Sequence, residues 1–248
     1  MKQIVENDKV LLAIQFWNGD KAQAMALARL LADLELEHSK KADVLFISRF
    51  DTFHDRSTVD YVSRKFNVFT YTSTRRGVGW PTGCNELFFG MIDWVYHMKA
   101  AGKIPGYKAI FAVEADCLPL SADWLSVLNK DWDDEDAKRK IYVAGCWIKE
   151  GPFGVGHING NAFLSGRLKF LKSLCDIGGR FNSGAGWDWV LSKQFKEVGW
   201  YSMPHMAFDW RAVVTREKLE SEIRRGMVWH HGGKNLDGLK ICRELLGK

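Results

Sequence analysis

Four nearly unbroken apolar runs constrain this chain most: VLLAIQF at 10–16, DVLFIS at 43–48, AIFAV at 109–113 and IYVAGCWI at 141–148. A strand that sits at a surface alternates apolar and polar residues. A run without that alternation has no solvent face and must lie in a sheet covered on both sides, as parallel sheets are. Between these runs the pattern turns helical. Residues 21–36 are Ala/Leu-rich, and Ser57-Thr58-Val59-Asp60 reads as a capping-box variant opening a short helix to Phe66. A third strand is expected at 68–71, a helix from Pro81 to about Met98, and one capped by Ser121 from Ala122 to about Asn129. Strands alternating with helices predict βαβ units, hence an α/β fold with a Rossmann-like, mostly parallel central sheet and helices on both faces.

The second half is less regular. A glycine-rich stretch at 151–166 holds a strand-like 161–164, and helices are expected at about 168–175 and 187–198. No linker, repeat or low-complexity segment interrupts the 248 residues, so residues 1–248 are read as one domain. A hydrophobic fraction of 46% against 26% charged residues excludes general disorder. The five cysteines are odd in number and none forms a C-x-x-C pair, which argues against a disulfide framework or zinc ribbon. The first residues read as a strand and not a signal peptide, and no apolar stretch approaches the roughly 20 residues that span a bilayer. The expectation is a cytoplasmic protein with no membrane partner. A net charge of +5 suits a phosphate-bearing ligand, and extends to nucleic acid as an acceptor.

The sharpest chemical feature is the end of the strand at 109–113, which runs into Glu114-Ala115-Asp116. Ligands of open parallel sheets gather beyond the carboxyl ends of the strands. Two carboxylates there, two residues apart on extended chain, face one side and repel unless a cation lies between them. A divalent metal carrying a diphosphate fits; a helix cap or surface charge is the alternative. The tail Trp229-His230-His231-Gly232-Gly233-Lys234 adds an imidazole ligand, glycines that let backbone approach phosphate, and a point charge in Lys234. Sequence does not separate His230 from His231, and His230 is preferred. Gly184-Ala185-Gly186-Trp187-Asp188-Trp189 places Asp188 on the first turn of a helix between two indoles. Asp188 is either a partner of the helix dipole or a general base facing an acceptor hydroxyl, with Trp187 and Trp189 beside it. Arg75, Arg76 and Trp80, in a glycine-containing loop before a helix, suit phosphate or ribose contact. Asn159 and Asn161 are candidates for hydroxyl binding, and Asp51 is more simply a turn carboxylate. No dinucleotide fingerprint or P-loop occurs.

Taken in order, these pieces resemble the GT-A glycosyltransferases, over roughly residues 9–235. The resemblance rests on the alternating first half, the D-x-D-like Glu114-Ala115-Asp116, the later carboxylate Asp188, and the late His230 or His231. It implies a nucleotide-sugar-binding half at about 1–120 and an acceptor-facing half at about 121–248. It also implies a UDP-sugar or related donor, a Mn²⁺ or Mg²⁺ cofactor, and transfer to an acceptor hydroxyl. Asp116 with His230 or His231 would then bind metal, and Glu114, Arg75, Arg76, Trp80 and Lys234 the donor. Asn159, Asn161, Trp187 and Trp189 would face the acceptor, with Asp188 as base. Glu in place of Asp at 114 makes Asp116 the firmer ligand. The size and basic charge also resemble small phage-type and base-J-type enzymes that glycosylate hydroxymethylpyrimidines in DNA, for which Trp80, Trp147, Trp187 and Trp189 could wall a flipped base. A polysaccharide or small-molecule acceptor is the alternative, and a metal-dependent nuclease or nucleotidyltransferase the rival class.

Overall fold

The computed structural model describes residues 6–149, 156–180, 184–209 and 213–248. Residues 151–155 of the glycine-rich stretch lie outside them. The apolar runs form the interior of one sheet. Strand β1 (Glu6–Phe16) is followed by helix α1 (Lys21–Leu34), β2 (Ala42–Ser48), α2 (Arg56–Val62), β3 (Val68–Thr72), α3 (Thr82–Ala100) and β4 (Gly106–Glu114). A short β5 (Cys117–Pro119), α4 (Trp124–Arg139), β6 (Val143–Ile148) and β7 (His157–Ser165) come next. Then follow α5 (Leu168–Arg180), α6 (Trp187–Val190), α7 (Ser192–Val198), β8 (Trp200–Ser202) and β9 (Met206–Phe208). The chain ends with α8 (Arg216–Arg224), β10 (Trp229–His231) and α9 (Leu236–Leu246).

Seven strands make the central sheet in the order β3-β2-β1-β4-β7-β6-β8. β7 is antiparallel to both of its neighbours, while β1 is parallel to β2 and β4, β2 to β3, and β6 to β8. Only β7 therefore runs against the others, so the sheet is mostly parallel, as the unbroken apolar runs require. Side chains alternate between its faces. Val10, Leu12, Ile14 and Phe16 pack into one core with α1 and α4, and Leu11 and Ala13 into a second core with α3 and α5. Covering helices on both faces leave the carboxyl ends of β1 and β4 as an open edge. A second sheet, β5-β10-β9, stands at that edge.

Three local expectations are corrected. The cap of α2 is Asp55, whose carboxylate accepts from the Thr58 N–H, so the helix starts at Arg56 and the Ser57-to-Asp60 box forms its first turn. Asp123, not Ser121, stands at the start of α4, which runs on to Arg139; the Ser121 hydroxyl donates to Asp123 instead. The helix read at 187–198 is two, α6 and α7, meeting at Leu191. The three strands and two helices from β8 to α9 have no counterpart among the elements expected from sequence. Among the described residues no helix is long and apolar enough to cross a membrane.

Candidate functional site

β4 delivers Glu114 to the sheet edge, and the chain turns through Ala115 and Asp116 into β5. β10 pairs antiparallel with β5, with His231 opposite Cys117. The backbone N–H groups of Gly232 and Gly233 then donate to the Asp116 carbonyl, at 3.1 and 2.9 Å. The paired glycines thus clamp the tail onto Asp116, where sequence had them approaching phosphate. Behind them Trp229 is fully buried, 4.6 Å from Trp124 and 5.1 Å from Phe111 between ring centroids. A buried aromatic cluster of this kind is a rigid base for the residues that follow it. Gln23 of α1 donates to the Gly233 and Asn235 carbonyls and ties the tail to the first half of the chain.

The result is a convergence of ligand atoms. His231 Nε2 lies 2.7 Å from Glu114 Oε2 and 2.8 Å from Asp116 Oδ1. Both imidazole nitrogens are buried, and neither oxygen meets hydrogen-bond geometry at Nε2. Lys234 bonds the other Asp116 oxygen from the cleft side, with its side chain 62% exposed. Burial alone would push the Asp116 carboxyl up, but the positive charges of His231 and Lys234 win and hold it well below the usual carboxylate range. Burial opposes a charge on His231 too, yet Asp116 and Glu114 together raise it to about 10. Two carboxylates that hold a buried imidazole protonated favour positive charge at this point. Carboxylate oxygens with one imidazole nitrogen are a donor set suited to Mn²⁺ or Mg²⁺. Asp116, Cys117 and His231 also offer ligand atoms within 4.8 Å of one another. The Cys117 thiol is fully buried and pushed well up by that burial, then by Asp116 and Glu114, so it stays protonated and is the weaker ligand for a hard cation.

These groups open onto a cleft of ≈ 680 Å³, lined by both halves of the chain. Asp188, on the first turn of α6, lines the same cleft. Asp188 Oδ1 accepts from the Trp189 N–H at 3.1 Å, and a Cβ added to Gly186 would come 2.5 Å from that oxygen. Glycine at 186 is what lets the carboxylate fold over the helix start. Burial, then the charge of Glu114, raises Asp188 to about 7. Trp189 stands edge-on to Trp80 at 5.6 Å, and Trp80 is 64% exposed at the cleft mouth. Asn159 lines the cleft beside Gly160, where an added Cβ would sit 2.6 Å from Glu114 Oε1.

Several residues singled out from sequence are not brought to the cleft. His230 points away from His231, because successive residues of a strand face opposite sides, and its Nδ1 lies 2.8 Å from buried Glu222. The imidazole beside Asp116 is His231, correcting the preference for His230. Arg75 pairs with Asp93 of α3 at 2.7 Å, and the Arg76 guanidinium lies 5.8 Å from the centre of the Phe50 ring. Neither lines the cleft. Asn161 is in the core, its amide oriented to donate to the Ala112 carbonyl at 2.8 Å and to accept from Trp229 Nε1 at 2.6 Å. Trp187, by contrast, does line the cleft, with its ring stacked on Phe88 at 3.6 Å. Trp147 stacks on Trp200 at 4.1 Å beneath Lys196, and Asp51 is bound by Arg49 at 2.6 Å.

Conversely, Asp20, Cys117 and His157 belong to this region and were missed. Asp20 follows β1 and lines the cleft, raised to about 6 by burial and by the charges of Asp116 and Glu114. Its signal was visible as Asn18-Gly19-Asp20 directly after an apolar strand. His157 opens β7 and gives no comparable signal.

No protein-family profile matches the chain, and no curated protein matches it by sequence. Solved structures do. An active-site mutant of LgtC is similar over 96% of this chain and 95% of its own, with a TM-score of 0.56 and 13% identity. The apo structure of WbbM, a bifunctional glycosyltransferase, is similar over 97% of this chain and 50% of its own, with a TM-score of 0.59 and 10% identity. This chain therefore spans about half the length of WbbM. At such identities the likeness establishes the fold, which is the GT-A α/β fold.

Proposed function

We propose that this protein is a glycosyltransferase that binds a nucleoside-diphosphate sugar in the cleft and passes the sugar to an acceptor hydroxyl beside Asp188. One observation carries the reading: Glu114, Asp116 and His231 converge on one point at the carboxyl edge of the sheet, with Lys234 over it. Glu114, Asp116 and His231 would hold a divalent cation, Mn²⁺ or Mg²⁺. When bound, that cation neutralises charge on the diphosphate. Lys234 is long, half in solvent and able to leave Asp116 for a phosphate oxygen, so it adds positive charge where the leaving group gathers negative charge. The cleft is large enough for such a donor, and drug-sized ligands occupy pockets of about 300–1,000 Å³.

In the same cleft Asp188 accepts the acceptor proton as the acceptor oxygen bonds to the anomeric carbon and the bond from that carbon to the diphosphate oxygen breaks. A base that titrates near neutrality is matched to this step, and general-base assistance is worth about 10²–10⁴-fold in rate. Trp80 and Trp189 offer ring faces and edges to a ring-shaped acceptor. A saccharide fits that wall, as does a hydroxymethylated pyrimidine flipped from DNA. With Arg75, Arg76 and Trp147 engaged elsewhere, the geometry favours the saccharide.

The test is a thermal-shift panel of UDP-, GDP-, CDP- and ADP-sugars with and without Mn²⁺. A donor at about 100 times its Kd stabilises by about 2.7 kcal/mol. For a chain of this size that is about 5–10 °C. The shift should need Mn²⁺, vanish in Asp116→Asn, and be accompanied by release of the free nucleoside diphosphate. A protein that cleaves nucleic acid and ignores every nucleotide-sugar is the nuclease rival instead. Transfer to a hydroxymethylated duplex that falls steeply with salt would select DNA as acceptor.

A further inference from the structure

His157 is the one buried histidine in the cleft wall that no step above uses. It is 5% exposed and opens β7, opposite Ile148 of β6. Its Nε2 receives the Trp189 indole N–H at 2.6 Å, with the rings at 74°. An indole N–H can only donate, so Nε2 must carry a lone pair and the ring proton must sit on Nδ1. The imidazole is therefore uncharged, in keeping with the downward push that burial gives it. Asp188 Oδ2 is 4.0 Å from the same nitrogen, too far for a hydrogen bond and with no charge there to pair with. His157 thus stands next to Asp188 without occupying its proton-accepting capacity. Nδ1 is buried and has no hydrogen-bond partner among the described residues. For filling the core alone an apolar ring would serve as well, because none of the described residues bonds that N–H. What this histidine does achieve is to anchor Trp189, which in turn carries Trp80 edge-on at 5.6 Å.

We propose that His157 is the positioning residue of the acceptor side: it holds the Trp189 indole, and through it Trp80, as the wall against which an acceptor ring lies beside Asp188. The inference rests on the glycosyltransferase reading for its functional half, and on the hydrogen bond alone for its structural half. Rotation of the Trp189 ring would leave donor binding intact while the acceptor loses its orientation. Loss of orientation at a reacting centre costs up to about a hundredfold in rate.

Two measurements test it. In ¹⁵N-labelled protein the Trp189 indole signal is the one lost in Trp189→Phe. It should move upfield in His157→Phe, which cannot accept the N–H, and stay near its position in His157→Gln, whose amide oxygen can. In kinetics, methyl glycosides and an oligonucleotide containing 5-hydroxymethylcytosine serve as acceptors, and hydrolysis of the donor by water is the acceptor-free reference. His157→Phe should raise the acceptor KM at least roughly tenfold with donor hydrolysis unchanged, and His157→Gln should recover most of the loss. Should His157→Phe not fold, the smaller His157→Leu also leaves the indole N–H without its acceptor and must show the same split. An indole signal indifferent to His157→Phe, or equal losses in transfer and hydrolysis, overturns the proposal. A wild-type protein inert toward every nucleotide-sugar fails the glycosyltransferase reading, while the indole signal still decides whether His157 holds Trp189.

Discussion

Asp188 and Asp116 are carboxylates in one cleft pushed in opposite directions. Asp116 faces His231 and Lys234 and stays ionised; Asp188 faces indole rings and Glu114 and is raised to about 7. Environments that drive two carboxyl groups apart commonly divide roles between them, one binding charge and one moving a proton. Transfer should therefore rise with pH through about 7 and level off as Asp188 ionises. Asp188→Asn should abolish that limb and cost about 10²–10⁴-fold in kcat while the Mn²⁺-dependent thermal shift by donor persists. A rate that is flat across neutrality in the wild type would remove Asp188 from the reaction. The roles of Glu114, Asp116 and Asp188 could be suspected from sequence because an apolar strand ending in acids, and an acid at a helix start, are local patterns. The fate of Arg75 and Arg76 could not, since their partners Asp93 and Phe50 are chosen by packing.

At the scale of elements, β10 is three residues long yet determines which histidine meets Asp116. Its phase comes from pairing with β5 and β9, not from its own residues. A shift of one residue would exchange His231 for His230 and bury the wrong face. Gly233 is where this register is most exposed to mutation: a Cβ there would lie 2.9 Å from Cδ1 of Leu118, which is itself fully buried. Gly233→Ala should cost about 1–3 kcal/mol, as overpacking in a core does. The same change should weaken donor stabilisation in Mn²⁺, read by thermal shift, since the tail carries His231 and Lys234. Unaltered Mn²⁺ dependence in a destabilised Gly233→Ala would detach the tail from the cation site. Sequence showed the motif HHGGK but assigned its glycines to a ligand, because their true acceptor, the Asp116 carbonyl, is more than a hundred residues away.

For the whole molecule, the cleft concentrates acidic groups whose protonation couples to folding. Asp20 and Asp188 are raised to about 6 and about 7, against an unfolded value of 3.8. Between these limits the folded protein holds protons that the unfolded chain has released, so both groups contribute stability that falls as pH rises from about 4 to about 7. Asp116, lowered, acts the other way and loses its contribution only on strong acidification. In chelator, Asp188→Asn should therefore flatten the decline in Tm across this interval. A decline as steep as in the wild type would mean that Asp188 is not held protonated in the fold.

The sequence by itself determined the class of fold and the strand edge where chemistry gathers. Unbroken apolar runs permit only a sheet covered on both faces, and such a sheet exposes its ligands at one edge. Tertiary structure alone decided which imidazole joins Asp116, that Asn161 serves the core, and that His157 grips Trp189. Each of these depends on contacts between residues far apart in the chain, whose geometry comes from packing and strand register, and neither is written in any short stretch of residues.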